Sequence, residues 1–165
     1  MKQISDMETR LSSAVTMTFD KAKADSLMDL YNNFILRFPN DSLSPKFHFH
    51  CAQLAMAMGD GQKSLEMFDR FMTTFPDNPK APSCMFFKAY VYENLLHNLD
   101  KAKETYLAFA EKYPTNEFAR DARIAVQNLG KSPDEMVREF EARQKADSTR
   151  RADSVLAFKK RLKKR

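Results

Sequence analysis

The sequence predicts an all-α protein of antiparallel helix pairs, about eight helices in all. Two observations lead there. An apolar stripe closed by proline occurs three times: Leu27, Tyr31, Phe34, Phe38, Pro39; then Ser64, Phe68, Phe71, Phe75, Pro76; then Ala102, Tyr106, Phe109, Tyr113, Pro114. Steps of four, three and four residues put each set on one helix face. The prolines stand 37 and 38 residues apart, a period that belongs to repeat architectures. The second observation is composition. Three glycines and no tryptophan in 165 residues, with Lys, Glu, Ala, Leu and Met plentiful, favour helix.

Each element follows from local signals. Residues 3–15 form one apolar face through Ile4, Met7, Leu11 and Ala14, and a polar break at 16–19 ends it. The next helix spans about 20–38 and stops at Pro39-Asn40-Asp41, which is turn chemistry. Ser44 as cap and Pro45 in the first turn open a third helix that ends at Gly59-Asp60-Gly61. A fourth runs to Phe75-Pro76. A fifth opens at Asn78-Pro79, holds Pro82 in its first turn and ends near Leu96-His97-Asn98. The sixth is 99–113, and the seventh runs from Thr115 to Leu129 before Gly130. Ser132-Pro133-Asp134-Glu135 is a capping box that starts the eighth.

The net charge of +5 is not spread evenly. Residues 1–140 hold 17 basic and 19 acidic side chains, whereas 141–165 hold 10 and 3. A near-neutral body with a basic tail lacks the basic footprint of a nucleic-acid groove, so no nucleic-acid partner is expected. The organisation read from the sequence is a repeat domain over 1–140 and a charged helical extension over 141–165. The repeat units lie at about 3–39, 40–76 and 77–114, with a capping segment at 115–140. In the extension, Glu141/Lys145 and Asp147/Arg151 are expected i,i+4 pairs. Its end carries an apolar stripe, Val155, Phe158 and Leu162, beside a basic cluster. Either this end is solvated, or Phe158, Lys159, Lys160 and Arg161 touch a partner, an anionic membrane surface or a second copy of the chain.

No apolar run approaches the ~18 residues of a membrane span. The opening MKQISDMETR lacks the apolar core of an export signal. Two localisations follow as expectations: cytoplasmic, or periplasmic and outer-membrane-associated if a lipidated export segment precedes Met1. Cys51 and Cys84 form no metal or redox motif and are expected as buried free thiols.

The repeats resemble the tetratricopeptide repeat. Its consensus has Ala, an aromatic four residues on and Pro eight beyond. Ala102, Tyr106 and Pro114 match it; Phe68 with Pro76, and Tyr31 with Pro39, match in part, while Ser64 and Leu27 depart from the small apolar residue. Ala52 and Ala89, each 13 residues after its Pro, match the small position of the first helix; Tyr92 matches three on, where Ala55 stands in the earlier pair. The longer period resembles bacterial outer-membrane assembly lipoproteins and Tol–Pal coordinator proteins. The run from Leu129-Gly130-Lys131 to Phe140-Glu141 is similar to the ends of small tetratricopeptide (lipo)proteins of Bacteroidetes. The resemblance covers roughly 20–141. It implies a right-handed superhelix of helix pairs, a scaffold that binds a peptide or partner helix in a groove, and a role in envelope biogenesis or maintenance.

Catalytic chemistry is not expected. Glycines at 59, 61 and 130 cannot build a phosphate loop. His48 and His50, two apart on a helix, point to different sides and make a poor metal pair. No catalytic residue, metal site or cofactor is assigned. By the resemblance, the first helix of each pair lines the groove. Counting from Ala52 gives Lys46, Phe49, Gln53 and Met56; counting from Ala89 gives Ser83, Phe86, Tyr90 and Glu93. The equivalent positions of the next helix are Asp121, Ile124 and Asn128. Phe49, Met56, Phe86 and Tyr90 are the expected anchors, and the back-helix aromatics are expected in the core. The rival reading turns Phe49 and Phe86 inwards, since a phase error of one residue swings a side chain ~100°. The expected partners are a protein or peptide, a removed lipid anchor as membrane tether, and a second copy through the last helix.

Overall fold

The computed structural model describes residues 2–13 and 20–162, with side chains described for all of these except 10–13 and 155–162. The described residues form eight α-helices and no strand: α1 (Lys2–Ser13), α2 (Lys21–Arg37), α3 (Ser44–Ala57), α4 (Gly61–Thr74), α5 (Ala81–Asn94), α6 (Leu99–Lys112), α7 (Ala119–Asn128) and α8 (Pro133–Leu162). The expected break at 16–19, residue Ala14 and the side chain of Leu11 lie outside the described residues. The chain divides into two compact units, Met1–Leu129 and Gly130–Arg165. The composition shift at 141 is not where it divides, because α8 starts at Pro133 and runs unbroken through that point.

In the first unit each helix packs on the next, from α1 to α7. Three joints between successive pairs share one geometry. Phe38, Phe75 and Tyr113 cap α2, α4 and α6 with φ of −135°, −131° and −127° and ψ of 60°, 62° and 60°. Each cap ring packs on the aromatic one turn earlier, at centroid distances of 5.1 Å for Phe34–Phe38, 5.4 Å for Phe71–Phe75 and 5.6 Å for Phe109–Tyr113. Proline follows and stops the helix, because it has no N–H to continue the ladder. Asp41, Asn78 and Asn116 then fold the turn. Each backbone N–H donates 3.1 Å to the cap carbonyl. Each side-chain oxygen accepts a backbone N–H two residues on, at 2.8 Å from Leu43, 2.9 Å from Lys80 and 3.0 Å from Phe118. These Asx turns deliver the chain into α3, α5 and α7.

Three expectations about helix starts are corrected here: the fifth helix starts at Ala81 rather than Asn78-Pro79, which belong to the repeated turn, and two more differ as follows. Ser44 is not the cap of α3; Leu43 holds that position, and the Ser44 hydroxyl donates to the Phe38 carbonyl at 2.5 Å. The seventh helix starts at Ala119 rather than Thr115, since 115–118 belong to the repeated turn.

The return joints are equally regular. Asp20, Asp60 and Asn98 cap α2, α4 and α6, each accepting the backbone N–H three residues on, at 3.0–3.1 Å. The residue before the last two caps is left-handed, Gly59 at φ +78° and His97 at φ 51°. One position thus takes glycine in one pair and histidine in the next.

Three apolar clusters run through the unit. The first joins Ile4, Leu27, Met28, Tyr31, Phe47, Cys51 and Ala55 across α1–α3. The second joins Phe49, Ala52, Leu65, Phe68, Phe71, Cys84 and Val91 across α3–α5. The third joins Ala89, Ala102, Tyr106, Phe109 and Ala122 across α5–α7. Ala52, Ala89 and Ala102 are fully buried within these clusters. Phe34 is half-buried at the edge of the first cluster, and the other back-helix aromatics expected in the core, Tyr31, Phe68, Phe71, Tyr106 and Phe109, are fully inside. Cys51 and Cys84 are buried free thiols, and burial pushes both up to about 12.

In the second unit, α8 begins with the expected capping box. The Glu135 backbone N–H donates to Ser132 Oγ at 3.3 Å, and the Ser132 N–H donates to Glu135 Oε2 at 2.7 Å. The Ser132 N–H, and the Ser132 hydroxyl that donates to the same Oε2 at 2.9 Å, hold the Glu135 carboxyl below its usual value. Among the described residues, the ion pairs on this unit gather on Glu139, with Lys131 at 2.7 Å and Arg143 at 3.4 Å, instead of Glu141/Lys145 and Asp147/Arg151. The latter side chains stand exposed in solvent, where such pairs gain little. Met136, Val137 and Phe140 are exposed. The side chains of Phe158, Lys159, Lys160 and Arg161 lie outside the described ones.

Candidate interaction surface

The shared turn puts Ser44, Ala81 and Ala119 in register as the first residues of the front helices α3, α5 and α7. Counting from them sorts the expected groove residues into rows. Lys46, Ser83 and Asp121 form the first row: Lys46 and Asp121 are exposed, while Ser83 is buried. Phe49, Phe86 and Ile124 form the second. Phe49 is 6% exposed and Ile124 is 42% exposed. Gln53, Tyr90 and Asn128 form the third, with Tyr90 42% exposed and the other two half-buried. Met56 and Glu93, both half-buried, make a fourth.

Phe49, Phe86 and Ser83 are therefore corrected. The Phe49 ring meets Phe68, Phe71 and Phe87 at 5.9–6.1 Å. Phe86 stacks on Phe118 at 4.8 Å and meets Tyr106 and Phe109 at 5.6 Å. Phe68 and Phe71 stand on α4, and Tyr106 and Phe109 on α6, the second helix of each residue's own pair, while Phe87 and Phe118 come from the next. Buried Phe49 and half-buried Phe86 are thus packing residues rather than open anchors. Ile124 occupies the same place on α7, the last helix of its unit, and is open. The rival reading turns both rings inwards onto helix one and each other; the rings do turn inwards, but onto α4 and α6.

Glu93 is also engaged. Tyr106 Oη donates to its Oε2 at 2.9 Å. Tyr31 Oη donates to Glu8 Oε1 at 2.6 Å in the first pair. Burial is the main cause that raises both tyrosines far above their ordinary range, and the carboxylates add to it. At the corresponding position of the middle pair, Phe68 stands where the tyrosines stand, and Met56 where Glu93 stands. The tyrosine–carboxylate bond is thus replaced by apolar residues as a unit, which leaves no buried hydroxyl without a partner.

The front face holds one pocket that the groove residues only partly anticipate. It has a volume of about 380 Å³ and is lined by Ser42, Pro45, Lys46, Phe49, His50, Gln53, Asn78 and Lys80. Helix α3 supplies one wall and the α4–α5 turn the other. Lys46, Phe49 and Gln53 were expected on this face; His50, Asn78 and Lys80 were not. Lys80 Nζ lies 5.6 Å from the centroid of the Phe49 ring and Lys46 Nζ 5.9 Å from that of Phe47, distances typical of cation–π contacts. His50 Nδ1 lies 3.3 Å from Tyr31 Oη and 3.6 Å from Glu8 Oε1. Burial holds His50 below its ordinary value, with Lys46 and Lys80 adding to that and Glu8 opposing it. The regular Asx turn places Lys80 at the lip of α5, a signal visible only once Asn78 is read as a turn residue.

His48 and His50 face different neighbours, His48 meeting Phe75 at 5.3 Å and His50 meeting Tyr31 at 5.7 Å. Among the described residues, no group of three or more His, Cys, Asp or Glu is placed to hold a metal ion. No described helix is long and apolar enough to cross a membrane.

Residues 84–116 match the family model of the tetratricopeptide repeat. The matched span takes in α5 from Cys84, all of α6 and the turn that follows. The same joints flank the other two pairs, and the fold is a tetratricopeptide-like helical repeat. No curated relative matches the chain.

Proposed function

We propose that the chain is a non-enzymatic interaction module that holds a peptide or partner helix across the front helices α3, α5 and α7. The observation that carries this reading is the exposed apolar pair Tyr90 and Ile124, from the third and second rows. It is an apolar centre flanked by the charged side chains of Lys46 and Asp121, the pattern of a recognition surface. Scaffolds of this fold have no catalytic machinery of their own, and function is argued from the exposed site. The long repeat period, shared with envelope lipoproteins, supports a setting in bacterial envelope biogenesis or maintenance.

Photo-crosslinking in cells tests the reading. A benzophenone amino acid at Gln53, Tyr90 or Ile124 is expected to give a discrete adduct, and the same group at the back-face positions Glu66 and Lys103 none. Adducts from the back face alone, or no adduct from any front position, would remove the front face from consideration. Fractionating the same cells locates the adduct; recovery in the cytosol alone rejects the envelope setting.

A further inference from the structure

The pocket between α3 and the α4–α5 turn has a chemistry that a general protein-binding face does not require. Two ammonium groups, Lys46 and Lys80, converge on it beside the imidazole of His50, whose burial disfavours its charged form, and its lining contains no carboxylate. Among the described residues neither lysine has an acidic side chain within ion-pair distance; each ammonium lies over a phenylalanine ring instead. Asn78 spends its Oδ1 on the backbone N–H of Lys80 at 2.9 Å, so its remaining polar group is a donor. The nearby carboxylate, Glu8, is engaged by Tyr31 at 2.6 Å. The pocket is therefore rich in donors and positive charge, and poor in acceptors. Its volume of about 380 Å³ sits at the low end for ligand sites, which suits one or two side chains.

The charge changes along the front face. The α3 end offers Lys46 and Lys80, whereas α5 and α7 offer Glu93 and Asp121 at groove positions. We infer that the partner is an acidic peptide whose side-chain carboxylates enter the α3 pocket, between the Lys46 and Lys80 ammonium groups, while its apolar residues lie on Tyr90 and Ile124. The lysines attract the peptide and fix its direction; Glu93 and Asp121 repel its acidic part from the other end. The inference rests on the proposed front-face function and adds the partner's chemistry.

The test uses the full chain and a fluorescein-labelled peptide alternating Glu and Leu, with a twin carrying Gln for every Glu. Anisotropy is expected to show salt-dependent binding of the Glu peptide and at least ~10-fold weaker binding of the twin. Lys46→Gln with Lys80→Gln, both exposed positions, should weaken the Glu peptide by a similar ~10-fold and leave the twin and the melting curve unchanged. Competition by acetate alone at the peptide's own concentration would reduce the site to a free-anion trap and overturn the inference. Equal binding of the two peptides, an unaffected double variant, or no binding at ~1 mM also overturns it. If Tyr90→Ala then weakens both peptides equally, the front-face function stands while the carboxylate preference falls.

Discussion

Phe49, Phe86 and Ile124 occupy one place in three successive front helices, yet only Ile124 is open. What decides exposure is the cover laid over the residue by the second helix of its own pair and by the start of the next, not the helix that carries it. A helical count from Ala52 or Ala89 gives an angle around one axis; it does not say whether a neighbouring helix covers that angle. That is why the sequence places Phe49 and Phe86 in the groove, and why Tyr90, one turn on from Phe86, is the residue that stands exposed. The consequence is measurable by urea denaturation. Phe49→Ala removes a ring packed against three others and should destabilise by about 3–5 kcal/mol. Tyr90→Ala, at a position 42% exposed, should stay within about 0.5 kcal/mol of the parent.

At the scale of the element, the joints were more legible than the helix faces. Proline stops, the capping box at Ser132 and Gly59 as a left-handed stop were all readable, because each acts through its own backbone and needs no tertiary context. The Asp20, Asp60 and Asn98 caps are equally local, each set by one side chain and the backbone N–H three residues on. The lip of the pocket was hidden because Lys80 acquires its meaning only from the Asn78 turn and from α3 across the gap. The left-handed site before the caps offers a direct comparison. Nothing lies within 4 Å of a Cβ added at Gly59, so Gly59→Ala isolates the backbone penalty and should cost about 1 kcal/mol. His97, at φ 51° in the equivalent place, already bears that penalty. His97→Gly should stabilise the protein by a similar ~1 kcal/mol. Thermal or urea midpoints of the two variants should therefore move in opposite directions.

For the whole molecule, the first unit is a chain of neighbours: each helix packs on the next and its core is three clusters in series. Stability in such an array is a sum of local terms, so damage stays local. Deleting residues 1–13 removes Ile4 from the first cluster and Glu8 from Tyr31. Hydrogen exchange should then speed up in α2 and α3 while α6 and α7 keep their protection; uniform loss along the unit would show a single cooperative block instead. The helical-repeat class and the order of helices followed from periodic aromatics and prolines alone. Which surface is open did not, since that depends on how pairs cover one another. The three matching turns at Phe38, Phe75 and Tyr113 have one more implication. Because each leaves its helix at the same angle and enters the next with the same hydrogen bonds, the turns are interchangeable connectors. Genetic exchange between two of them would add or remove a whole helix pair in frame, so the length of the array is free to drift while the fit between neighbours is kept.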